Sequence, residues 1–256
     1  MKTPLKHLIC AAFIGLASAP ETPAQEAAYW LTFENQTLKN SGTTGGVAES
    51  REPRSTTLSP ELTLDPELAR WTCELPAAAD GKQGVELVLP ASQSALRLNR
   101  QGDALAISTW IKWQGPDRHG DRRQMIVSTL SENQQTGWAF SICEDGKLRF
   151  DWRPDQGPPS SRESESTLSA GQWHHVAMSW QNDVRDGGLS FWIDGLPAGI
   201  TRTFTGGGPL SDNAEPVVIG ATQGYLPLNG SIADFRIFTE PMSETLLGRL
   251  AERKGR

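Results

Sequence analysis

The chain has 256 residues, of which 37% are hydrophobic, and its nine Trp and eight Phe stand against only two Tyr, with 25 Gly and 17 Pro. That balance suits many short strands joined by turns around a Trp-rich core, and the length holds one large all-β domain or two small ones. A formal charge of −6, from 24 basic and 30 acidic residues, speaks against a nucleic-acid partner, because phosphate binding relies on clustered positive charge and only the short tail Arg249, Arg253, Lys254 and Arg256 offers any.

The first residues read as export machinery. Lys2, Lys6 and His7 precede an apolar run from Leu8 to Ala19, long enough for a signal sequence and too short to span a bilayer. Thr22-Pro23-Ala24 supplies the better cleavage site, because Pro20 follows the alternative at Ala17-Ser18-Ala19. Residues 1–24 are therefore expected to be a signal peptide, with residues 25–256 forming one secreted, periplasmic or cell-envelope domain. Cys10 lies inside the apolar run, which speaks against a lipoprotein anchor. Cys73 and Cys143 remain after cleavage. In an oxidising compartment they could close one disulfide or stay as two separate thiols.

In chain order, Ala28 to Phe33 reads as a strand. Residues 48–83, rich in Pro, Glu, Ser and Thr, read as a long irregular connection, and Gly84 to Leu98 supplies more strand. In Leu105 to Trp113, alternation places Leu105, Ile107, Thr109, Ile111 and Trp113 on one face and Ala106, Ser108, Trp110 and Lys112 on the other. A charged loop over 114–124 leads to a strand over Met125 to Leu130. Trp138 to Cys143 and Lys147 to Trp152 then flank Glu144-Asp145-Gly146 as a hairpin. Residues 153–170 lack apolar periodicity and read as a surface loop. Strands follow at Trp173 to Trp180, Leu189 to Ile193, Val217 to Gly220 and Ser231 to Phe238. Ser243 to Arg253 reads as a short helix with Leu246, Leu247 and Leu250 on one side.

Four segments in this order resemble the laminin-G-like, concanavalin A-like jelly-roll family of secreted bacterial proteins. They are Leu105-Ala106-Ile107-Ser108-Thr109-Trp110-Ile111-Lys112, Trp173-His174-His175-Val176-Ala177-Met178-Ser179-Trp180, Leu189-Ser190-Phe191-Trp192-Ile193-Asp194-Gly195, and the closing Leu228-Asn229-Gly230-Ser231-Ile232-Ala233-Asp234-Phe235-Arg236-Ile237-Phe238. The resemblance covers roughly residues 28–242 and is thinnest over 48–83. It implies an all-β sandwich of two antiparallel sheets, with N- and C-terminal strands side by side. Function does not follow from the fold alone.

No catalytic residue is expected. Retaining glycosidases on this scaffold carry an E-x-D-x-x-E strand, because alternation then aims the carboxylates at one face, and no such string occurs. Glu163-Ser164-Glu165 lies in the Ser/Pro-rich stretch and reads as solvated charge. G-x-S-x-G, P-loop and H-E-x-x-H motifs are also missing. His174 and His175, as neighbours on a strand, point to opposite faces and do not readily share a metal; His175 is expected to hydrogen-bond within the sheet.

If the first alternation set points inward, Trp110, His175 and Trp192 share an outer face with Ala106, Ser108, Ala177, Ser179 and Ser190. An open face of this kind could stack a sugar on its rings. Alternatively, the 48–83 segment or the C-terminal helix covers it and the Trp residues pack beneath. The resemblance further implies a structural Ca²⁺ where first and last strands meet, with Glu34, Asn40 or Gly42, and Asp234 at the matching positions. Otherwise Glu34 and Asp234 are surface acids, or pair with Arg236. The function expected is a secreted, non-catalytic module that binds glycans or extracellular glycoproteins through this face or the rim loops at 114–124, 153–170 and 204–215. The alternative is an envelope adhesion protein making only protein contacts, and a divergent glycoside hydrolase is the remotest reading.

Overall fold

The computed structural model describes residues 25–52, 58–78, 83–89, 96, 98, 100, 102–116, 123–154, 157–182, 188–204, 210 and 214–252, without the side chains of 202–204. The expected signal peptide, the 117–122 part of the charged loop and the Gly206 to Pro209 loop lie outside these residues. In chain order the strands are β1 (Tyr29–Leu31), β2 (Glu49–Arg51), β3 (Glu61–Asp65), β4 (Arg70–Leu75), β5 (Glu86–Leu89), β6 (Ala104–Trp113), β7 (Arg123–Ser128) and β8 (Trp138–Cys143). They continue with β9 (Lys147–Trp152), β10 (Ser160–Thr167), β11 (Trp173–Gln181), β12 (Ser190–Ile193), β13 (Leu196–Pro197), β14 (Arg202–Phe204), β15 (Val217–Ile219) and β16 (Gly230–Phe238). A single α-helix among the described residues, α1 (Glu244–Ala251), follows.

Two antiparallel sheets face each other. The front sheet runs β13-β12-β11-β6-β16-β4-β3, with β1 also paired to β16, and the back sheet runs β14-β10-β9-β8-β7-β15-β5-β2. The sandwich and the meeting of first and last strands, Tyr29 opposite Ile237, are as expected. Between the sheets the alternate residues interdigitate. Ile107 and Ile111 of β6, Val176 and Met178 of β11, and Phe140 and Phe150 of the back sheet all fall in one buried cluster. Aromatic contacts tie the layers together. Phe140 stacks on Phe191 at 6.1 Å across the core, and Phe150 meets Trp180 at 5.8 Å.

Turn chemistry fixes the hairpins. Gly146 takes φ 82° in the β8–β9 turn and donates to the Cys143 carbonyl. Asp194 and Gly195 both lie at positive φ between β12 and β13, the pairing a tight two-residue hairpin demands. The helix starts at Ser243, whose hydroxyl accepts the Leu246 N–H, with Glu244 in its first turn.

Two expectations for irregular chain are corrected. Residues 48–83 contain β2 and the β3–β4 hairpin, where register pairs such as Thr63 with Thr72 extend the front sheet. The 153–170 stretch contains β10, which lacks apolar alternation because its side chains are satisfied by polar partners. Glu163 pairs with Arg149 at 2.8 Å, and the Ser164 hydroxyl accepts the Leu148 N–H at 2.9 Å.

Candidate functional site

The outer face of the front sheet, where an open Trp110, His175 and Trp192 platform was one expectation, is covered from two sides. Trp110 is 2% exposed and His175 1%. Leu246, Leu247 and Leu250 of α1 pack on Ala106, Ala177 and Phe238, with Trp192 against the same cluster. The β3–β4 turn inserts Leu68 beside Trp110, Trp173 and Ala233. The covering follows from the outward residues of β6 and β11, Ala106 and Ala177. They are small and apolar, so a leucine-faced helix lies close against them and removes more apolar area from water than a bare face would. His175 Nε2 sits 2.8 Å from the Ser108 hydroxyl on the neighbouring strand, as expected for a sheet histidine. Burial drops its pKa to about 4, so the ring is neutral, although Asp234 and Asp194 pull the other way.

The site the fold does leave open lies at a fork beside this covered patch. The edge of β16 is shared by two strands: β4 pairs with Gly230 to Ala233, and β1 with Phe235 to Ile237. At the junction, Asp234 pairs with neither and adopts φ 50°, within a register shift against β6 between Ala233 and Arg236. An inserted residue of this kind bends the strand and re-aims a side chain. Here it turns Asp234 onto the outer face beside Arg236.

Four side chains interlock there. Arg236 donates through Nε and Nη2 to the two Asp234 oxygens at 2.9 and 3.2 Å, and the Trp30 indole N–H donates to the same carboxylate at 2.6 Å. The Arg236 guanidinium lies 4.2 Å from the Trp30 ring centre. Arg70, the first residue of β4, brings Nη1 within 3.5 Å of Asp234 and stacks over Trp110 at 5.1 Å. Together with half-buried Trp71 and the exposed rim residues Glu34 and Asn35, these groups line a cleft of about 350 Å³. The rim is fixed by Phe33, fully buried in the core at positive φ, so the loop after β1 turns sharply over the cleft.

Of the expected calcium positions, the structure brings Glu34 and Asp234 into one cleft. The Asn40 side-chain oxygen instead accepts the Trp30 and Gly42 N–H groups at 2.7 and 2.9 Å, and its amide donates to Thr44 and Gly45. Asp234 is engaged by two guanidinium groups, which disfavour a second cation beside it. Among the described residues, no three His, Cys, Asp or Glu groups gather as metal ligands. Of the two alternatives for the cysteines, the structure has separate thiols. Cys73 is buried in the core from the front sheet, whereas Cys143 ends β8 on the back sheet beside Glu163, and both are free thiols.

Of the cleft residues, the sequence singled out Glu34 and Asp234 and noted Arg236 as a partner for Asp234. It missed Trp30, Arg70 and Trp71. The latter two fall in the 48–83 segment, where scattered Pro and charge hid the hairpin. A second, smaller cleft of about 150 Å³ opens at the back-sheet edge, with Tyr225 at its rim and Glu86 holding both Arg51 and the Gly224 N–H.

The fold is a two-sheet antiparallel jelly-roll sandwich. A family model described as the concanavalin A-like lectin/glucanases superfamily, of laminin-G type, matches residues 83–246, and the chain belongs to that family. No curated protein matches the chain. Domain 4 of AbnA, an extracellular arabinanase from Geobacillus stearothermophilus solved in complex with arabinotriose, is similar over 89% of this chain and 99% of its own, with 15% identity and a TM-score of 0.62. The binding domain of Paraclostridial Mosquitocidal Protein 1 is similar over 88% of this chain, with 15% identity and a TM-score of 0.61, and this chain spans 52% of it. A botulinum neurotoxin type C structure, whose cell entry is described as dependent on two ganglioside molecules, gives 16% identity and a TM-score of 0.56 over 88% of this chain and 50% of its own. At such identities the likeness shows the fold. No described helix is long and apolar enough to cross a membrane.

Proposed function

We propose that the chain is an exported, non-catalytic module that binds a glycan through the cleft at the β16 fork. The observation that carries this reading is the pairing of two half-buried indoles, Trp30 and Trp71, with charged hydrogen-bonding groups in one cleft. Sugar C–H faces pack on indole rings while hydroxyl groups exchange hydrogen bonds with fixed carboxylates and guanidiniums. The volume is of the size that small ligands fill, roughly 300–1,000 Å³. A non-catalytic role is supported by the state of Asp234, whose two oxygens already accept N–H groups from Arg236 and Trp30 and are not poised to move a proton. The arabinotriose complex of one structural relative and the ganglioside dependence of another are in keeping with a sugar ligand. A purely adhesive role has less support, because the large exposed apolar residues among those described, Val47, Leu64, Leu196 and Tyr225, lie on separate segments.

The test is a glycan array with purified residues 25–256, with and without EDTA, repeated with Trp30→Ala. Binding is expected to survive EDTA and to fall about tenfold in the variant, the loss of one stacking contact. An array without any hit would end the glycan reading.

A further inference from the structure

We infer that the ligand carries a carboxylate, and that Arg70 is the residue that reads it. This rests on the glycan reading of the same cleft and narrows it to acidic sugars of the hexuronate or sialate kind. The argument begins with charge. Two guanidiniums, Arg70 and Arg236, face one carboxylate at the fork, and Arg236 holds that carboxylate with two hydrogen bonds. Arg70 is left with a 3.5 Å approach to Asp234 that makes no hydrogen bond.

The Arg70 side chain is nine-tenths buried, at 9% exposure, yet lines the cleft. Nη2 donates to the Glu252 carbonyl at 2.8 Å, while Nε and Nη1 have no hydrogen-bond partner. Nearby His175 is neutral and adds no further cation. Burial lowers the Arg70 pKa and Arg236 adds to that, while Asp234 at 3.5 Å offsets part of it. A buried, hydrogen-bond-deficient guanidinium is costly unless an anion completes it, and its planar fork matches a carboxylate in two-point contact. Glu34 stands out on the exposed rim and Asp234 is held by Arg236, so a ligand carboxylate at the cleft floor supplies the anion that Arg70 lacks close by. The sugar ring then lies toward Trp30 and Trp71, which fixes its orientation and not its charge.

The experiment is isothermal titration of the purified exported chain with oligogalacturonate, hyaluronan fragments and sialyllactose, each beside its neutral counterpart: carboxyl-reduced oligogalacturonate, carboxyl-reduced hyaluronan and lactose. At least one acidic ligand is expected to bind tenfold or more tightly than its neutral form, with affinity falling as salt rises. The uronate and sialate arms identify the source of the acid group. Arg70→Gln is expected to erase the preference while leaving any binding of the neutral form; if that variant does not fold, the acid-to-neutral ratio of the parent chain decides. Equal affinity for acidic and neutral forms, with Trp30→Ala weakening both alike, would overturn the carboxylate assignment and leave the glycan reading standing. An absence of binding to every sugar, acidic or neutral, would overturn the glycan reading and this inference with it.

Discussion

The Trp110 indole N–H donates to the Leu250 carbonyl at 3.1 Å, although the two residues are 140 positions apart in sequence. That bond fastens the end of α1 to the middle of the front sheet and closes the outer face. Leu250→Ala is expected to cost about 2–3 kcal/mol, because the emptied site faces a rigid sheet that cannot collapse into it. Trp110→Phe is expected to cost less from the lost hydrogen bond alone, about 1 kcal/mol, plus the packing of the missing ring. Urea unfolding of both variants checks this; a Leu250→Ala protein as stable as its parent would mean that α1 is not docked in solution.

His175 gives the protein an acid-sensitive step. Its folded pKa is about 4 against 6.5 for the free side chain, with burial the first cause. Between these values the unfolded chain binds a proton that the folded one refuses. Stability is therefore complete above about pH 6.5 and declines as the pH falls through 6.5 to 4, by roughly 3 kcal/mol. Urea melts at pH 7.5, 5.5 and 4.5 are expected to show a shallower decline in His175→Gln than in the parent. Parallel declines would remove His175 as a source.

On the back sheet, Asp151 sits nearly buried among Arg123 at 2.9 Å, Arg149 at 2.8 Å and Arg153 at 3.9 Å. Asp151→Asn keeps the shape and leaves three guanidiniums with Glu163 as the remaining anion shown beside them. Loss of the shared partner of a buried ion cluster is expected to cost about 3 kcal/mol. A melting temperature unchanged from the parent would refute this account of β9.

The two thiols yield a simple chemical test. Alkylation of denatured residues 25–256 without reductant is expected to add two labels, one each at Cys73 and Cys143. In the folded protein both react slowly, since burial, with Glu163 assisting, pushes Cys143 up to about 12 and burial raises Cys73 as well. Labelling only after reduction would establish a disulfide and contradict the placement of the cysteines on opposite sheets.

Much of the sandwich was legible because apolar alternation and Asp-Gly turns are local signals. Leu105 to Trp113, Trp173 to Trp180 and the hairpin around Gly146 each declare strand and face within a few residues, and the structure repeats them within a residue or two. Polar strands declared nothing. β10 holds its place through Glu163 with Arg149 and Ser164 with Leu148, partners that only the folded sheet supplies. The β3–β4 hairpin escaped for a different reason: Leu62 and Leu64, and Trp71, Cys73 and Leu75, do alternate with polar residues, but the Pro and charge around these short runs masked the pattern, and with it Arg70 and Trp71 of the cleft.

Sequence alone determined the main strands and their inward side chains, because a period of two leaves little choice of which face is buried, while the two-sheet arrangement followed from the family resemblance. It also set the covered-or-open question for Trp110, His175 and Trp192 without answering it, since a residue's alternation tells its face and not what lies over that face. Only the tertiary structure decided that the helix and the β3–β4 turn cover the patch, and that the open site lies one strand away. There β16 changes partners from β4 to β1, and a single residue at positive φ, Asp234, gathers Trp30, Arg70 and Arg236 around its carboxylate. That gathering joins four residues from three strands, and no window of the sequence contains it.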